Sequence, residues 1–228
     1  MRFRGAAKGV SKIFAAEIMI LFASVIACVL YALITIAGGI DSINLEGEPD
    51  SSVIAIVVCS IAVGVLILLA GLFKIIGYIQ AARDEEYFVR AIIFAIIAIV
   101  LYAVSGFLQT KTGGVMGWVN TIVLAIAELL QLLVITSTIN GIAELAYDCR
   151  RDDVVNRGGT INKIIGTVFS LNISMIILGH VFKLFMNETT ITTISTIVAV
   201  IILVLTVIAY ILYLGYLGKA SRMLKNER

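Results

Sequence analysis

The chain has 228 residues, of which 61% are hydrophobic and 14% charged, with a mean hydropathy of +1.08. A soluble domain is nearer one half apolar and one quarter charged, and its surface could not hide this excess, which excludes a soluble enzyme. One Pro and three Cys exclude collagen-like and disulfide-rich scaffolds, and a net charge of +2 gives no footprint for nucleic acid.

Crossing ~30 Å of hydrocarbon takes about 20 apolar residues at ~1.5 Å each. Six runs of that kind occur, over 14–39, 53–81, 91–108, 115–140, 164–185 and 191–217. They are continuous, whereas barrel strands would alternate over segments of about 10 residues. Helices also satisfy their own backbone groups in lipid. The expected fold is therefore all-α: an integral membrane bundle of six transmembrane helices, forming a single domain over 1–228. The first run follows a basic start, as in a signal peptide, but its apolar core exceeds the about 7–15 residues of such segments. It is read as a retained anchor.

Loop charge sets the orientation. Arg2, Arg4, Lys8 and Lys12 precede the first span, and Arg83 and Arg90 separate the second and third. Arg150, Arg151, Arg157 and Lys163 separate the fourth and fifth, and Lys219, Arg222, Lys225 and Arg228 close the chain. With six crossings all of these fall on one side. The other side holds Lys111, with Lys183 close to it, and the acidic connection Asp41, Glu46, Glu48 and Asp50. The positive-inside bias predicts both termini in the cytoplasm, and the expected location is a bacterial plasma membrane. Cys28 and Cys59 fall within spans and Cys149 on the inner side, so no disulfide is expected. Asn187-Glu188-Thr189 matches a glycosylation sequon on the outer side.

The inner ends of the even spans resemble one another. Gly77-Tyr78-Ile79-Gln80-Ala81-Ala82 compares with Gly141-Ile142-Ala143-Glu144-Leu145-Ala146 and with Gly215-Tyr216-Leu217-Gly218-Lys219-Ala220. Each odd span opens on a basic residue and a short apolar run. The pattern suggests three helical hairpins in tandem. Between the fourth and fifth spans, Ile142, Leu145 and Cys149 alternate with Glu144, Asp148, Arg150 and Arg151, so the fourth helix is expected to continue beyond the membrane. Gly158-Gly159 reads as a flexible break before the fifth.

Polar residues at membrane depth are costly and point to function. Glu128 lies near the middle of the fourth span, with Gln131 three residues on and sharing its face. The fifth span carries Asn172, Ser174 and His180. Counted from the outer ends, a Glu128–His180 pair over an amide layer of Gln131 and Asn172 is the candidate substrate- or ion-binding site. In it Glu128 would exchange a proton or hold a cation, with His180 as its partner. Lys183 is read as snorkelling outward, and Glu17 and Lys74 as residues near the inner ends of their spans that do the same. Tyr210, deep in the sixth span, needs a partner for its hydroxyl.

One His and no Cys/His cluster give no metal-ligand spacing, and no phosphate-binding Gly loop or hydrolase elbow occurs. No metal, no cofactor and no enzymatic activity is expected. The favoured function is a small permease, channel or substrate-binding importer subunit for an ion or small solute. The alternative is a membrane assembly, immunity or regulatory protein acting through partner contacts. Expected partners are the lipid bilayer, a small solute or ion, and a protein or second copy at the cytoplasmic face around 147–163, with no nucleic acid.

Overall fold

A computed structural model describes residues 3–36, 51–109, 114–182 and 188–226. It consists of six helices: α1 (Arg4–Ile36), α2 (Ser51–Ala81), α3 (Tyr87–Gln109), α4 (Gly114–Asp148), α5 (Asp152–Phe182) and α6 (Glu188–Asn226). The described residues contain no strand. All six helices are long and apolar enough to cross a membrane, and the chain is a polytopic membrane protein. None contains Pro, since Pro49 is the only one and lies outside the described residues. Nothing interrupts the backbone ladders that lipid requires. The sequon at Asn187, Lys111, Lys183 and the acidic connection 41–50 also lie outside the described residues.

Neighbours in sequence pack as antiparallel neighbours in space, α1 on α2, α3 on α4, α4 on α5 and α5 on α6, and α6 returns to α1 to close a ring. The α2–α3 and α4–α6 contacts are slight. The helices outrun the bilayer. At 39 residues α6 is ~58 Å long, against ~30 Å of hydrocarbon. The excess lies at the end that carries both termini, and the core is there. Ala6, Val10 and Ile13 of α1 meet Tyr78 of α2, Phe88 of α3, Ile142 and Leu145 of α4, Val154 and Ile161 of α5, and Tyr216, Leu217 and Leu224 of α6. Toward the other end the helices expose large apolar side chains, among them Phe22, Val29, Ile61, Leu68, Phe107 and Leu203. Such faces belong in lipid.

The hairpins close through small residues. An added Cβ on Gly9 would run into the carbonyl oxygen of Gly77, and one on Gly77 would come 2.8 Å from the Ile13 side chain. In the second pair Gly141 faces Tyr87 and Phe88, and in the third an added Cβ on Gly158 of α5 would come 2.7 Å from the Tyr216 hydroxyl. The three matching glycine stretches thus mark where each even helix meets the odd helix before it. The residue after each glycine, Tyr78, Ile142 or Tyr216, is buried.

The α4–α5 connection departs from the expected long, flexible one. α4 does continue, to Asp148, and α5 begins at Asp152. Arg151 N–H donates to the Ala146 carbonyl at 2.8 Å and Arg150 N–H to that of Tyr147 at 2.9 Å, with Arg150 at φ 56°. This is a Schellman turn with a left-handed C′ residue, which satisfies carbonyls that the helix end would leave open. α5 then starts with Asp152 and Asp153 in its first turn, where the helix dipole favours negative charge. Gly158 and Gly159 lie inside α5, and Gly158 serves a close approach and no break.

Candidate functional site

The tight turn fixes the register of α4 on α5. Residues equidistant from position 149 stand about opposite one another, as the Thr136 hydroxyl donating to Asn162 Oδ1 at 2.9 Å illustrates. Glu128 is therefore about level with Ser170, and Gln131 with Thr167, with Asn172 two residues further along α5 than Ser170. His180 stands ten residues further along α5 from Ser170, ~15 Å at the helical rise. Its side chain lies outside the described residues. Counting inward from the outer ends of the runs misjudges this register, because α5 is a full helix from Asp152 onward.

The face expected for Glu128 and Gln131 divides between two neighbours. Glu128 is turned to α3, where the Tyr102 hydroxyl donates to its Oε1 at 3.1 Å. Further along the same pair of helices, Ser105 donates to Asn120 Oδ1 at 2.7 Å. Gln131 lies on the side of α5 and α6 and lines a cavity of about 160 Å³. Neither Glu128 nor the half-buried Asn172 is among the lining residues. Of the four predicted residues, the structure brings Gln131 to this cavity.

The polar end of the cavity comes from residues read as peripheral in the sequence. Glu17 of α1 is buried, and its Oε1 pairs with Lys74 Nζ of α2 at 2.7 Å. The Tyr210 hydroxyl of α6 lies 2.9 Å from Glu17 Oε2 and 2.7 Å from the Glu17 carbonyl oxygen. Neither charged side chain snorkels. Glu17 lies five residues beyond Lys12, ~7 Å further into the membrane, where an unpaired carboxylate would be too costly. Each partner is supplied by a different helix, so the cluster ties α1, α2 and α6 together. Tyr210 finds in Glu17 the partner that its depth demanded.

The cavity walls are Ile135 of α4, Ile165, Val168 and Phe169 of α5, and Thr206, Ala209 and Tyr213 of α6. Thr206 spends its hydroxyl on the Ile202 carbonyl of its own helix. The Gln131 amide makes no hydrogen bond to another described residue, so it is free to meet a ligand. On the side away from the cavity, the Tyr78 hydroxyl stands 3.0 Å from Thr138 Oγ1, and the Tyr216 hydroxyl donates to the Ile139 carbonyl at 3.3 Å. Both tyrosines follow a repeat glycine, and both reach α4 from a neighbouring hairpin. They close the space between the even helices beneath the site.

The site is a small apolar chamber with a neutralised ion pair and a tyrosine hydroxyl at one end and a free amide at its side. A buried carboxylate held by an ammonium and a hydroxyl group is fully occupied, so the pair adds polarity without net charge. Among the described residues no group of three or more His, Cys, Asp and Glu could hold a metal ion. No protein-family model, no curated protein and no solved structure matches the chain.

Proposed function

We propose that this protein is a small permease or substrate-binding importer subunit that takes up a small, uncharged solute between α1, α4, α5 and α6, with both termini in the cytoplasm. The observation that carries the reading is the cavity of about 160 Å³, bounded at one end by Tyr210 and by Glu17 with its partner Lys74 behind it, and flanked by the free Gln131 amide. A dry cavity of about 150 Å³ holds a molecule the size of benzene, which bounds the solute at a single small ring or a short chain. The apolar walls suit its body, and Gln131 and the Glu17 cluster suit one polar group. Lys74 already balances Glu17, which favours a neutral solute over a bare cation. The proposal is one of binding and passage, with no catalytic step.

A thermal-shift screen of the purified protein in detergent tests it, using small neutral amides, alcohols, vitamins and nucleobases beside alkali cations. A solute at 100 times its Kd adds about 2.7 kcal/mol of stability. The expected result is a neutral hit whose shift disappears in Gln131→Leu, a variant that breaks no ion pair. A shift from cations alone, or a hit untouched by Gln131→Leu, would contradict the reading.

A further inference from the structure

A second concave surface lies at the end that carries the termini, away from the solute cavity. It encloses about 590 Å³ and is lined by Arg4, Lys8, Ser11 and Lys12 of α1, Gln80 of α2 and Lys225 of α6. Arg4, Lys8 and Lys12 follow one another at four-residue spacing and so stack on one face of α1, where like charges repel. At the same end some cations are matched, Arg151 and Lys219 by Asp153 and Arg90 by Glu86, and others such as Lys163 and Arg222 stand apart on the surface. None of Arg4, Lys8, Lys12 and Lys225 has a carboxylate partner among the described residues. Asp84 stands at the rim, but its Oδ2 accepts the Ala6 N–H at 2.6 Å and caps α1.

Two further observations say what fills the groove. The Gln80 Oε1 is buried and has no hydrogen-bond partner, so an acceptor waits beside the cations. One turn further into the membrane on the same face of α2, Ile76 is exposed, and Leu72 continues the exposed apolar surface. Cations, a buried acceptor and an adjoining lipid-facing strip match a molecule whose phosphate carries a hydroxyl-bearing headgroup on one side and acyl chains on the other. We propose that the groove holds the headgroup of an anionic glycerophospholipid. The phosphate sits among Lys8, Lys12 and Lys225, a headgroup hydroxyl donates to Gln80 Oε1, and an acyl chain runs along Ile76.

The test uses the full-length protein, stripped of lipid in detergent and titrated with phosphatidylglycerol, phosphatidylcholine or sodium phosphate, with bound lipid counted by native mass spectrometry. The variants are Lys8→Gln with Lys12→Gln in the groove, and Lys163→Gln with Arg222→Gln as an equal loss of charge elsewhere at the same end. All four lysine and arginine side chains are at least partly exposed, so folding is not at stake. Each cation near a phosphate contributes about fivefold in affinity, so the groove variant is expected to bind phosphatidylglycerol about 25-fold more weakly. The control pair is expected to bind as wild type does, phosphatidylcholine weakly, and phosphate not to displace the lipid. An equal loss in both variants would reduce the groove to general surface charge and overturn the proposal. Displacement of lipid by phosphate alone would make it a site for soluble anions, and equal binding of phosphatidylcholine would remove the role of the headgroup's charge; either result overturns the proposal too.

Discussion

Glu17 and Lys74 show how little a residue's position along a span says about its surroundings. Both stand toward the end of the bundle that carries the termini, and depth alone suggests that they extend toward water. What decides otherwise is azimuth: the two side chains face each other across α1 and α2, 2.7 Å apart, with Tyr210 closing the third side. Removing one partner strands the other. Lys74→Met is expected to cost about 3–5 kcal/mol, because it leaves an uncompensated carboxylate, and Glu17→Gln with Lys74→Met to recover most of that loss. Melting curves of the single and double variants in detergent check this, and a double variant worse than the single would contradict it. Tyr210→Phe removes a donor to a charged group and is expected to lower stability by about 1.5–3 kcal/mol in the same assay. The need of Tyr210 for a partner was legible in the sequence, but the partner's identity was not, since α1 and α6 lie at opposite ends of the chain.

At the scale of elements, the apolar runs locate all six helices, because hydrocarbon demands length and continuity and the sequence writes both plainly. Their ends outside the membrane were harder to read. α5 begins at Asp152, twelve residues before its apolar run at 164, since polar turns of helix leave no hydropathy signal. The Gly158-Gly159 pair looked like a hinge, yet Gly158 is needed where the Tyr216 hydroxyl approaches. The α4–α5 register that follows places Glu128 about level with Ser170 and Gln131 with Thr167. Arg150, at φ 56°, occupies a position that suits glycine. Arg150→Gly is expected to raise the melting temperature through a gain of about 1 kcal/mol, and Arg150→Val to lower it. The opposite order would show that the turn does not form. Asp84 caps α1 from another element, and Asp84→Ala is expected to cost about 1 kcal/mol by the same measurement.

At the scale of the molecule, the three hairpins converge on a core at one end and spread apolar faces toward the other, as a chain does that packs where water begins and leaves lipid to cover the rest. The glycine stretches at 77, 141 and 215 announced the hairpins. The solute cavity was not announced, because its four helices contribute one to four residues each from stretches that carry no common motif. The cavity itself is tested most directly by filling it. Ala209 is buried and lines the chamber, so Ala209→Phe puts a ring where the solute would sit. The measurement is the melting shift that the screen's best neutral solute produces in wild type and in Ala209→Phe, with the unliganded melting temperature as a control for folding. A folded variant that has lost the shift is the predicted result. A folded variant that keeps the full shift would place the solute elsewhere and contradict the cavity as its site.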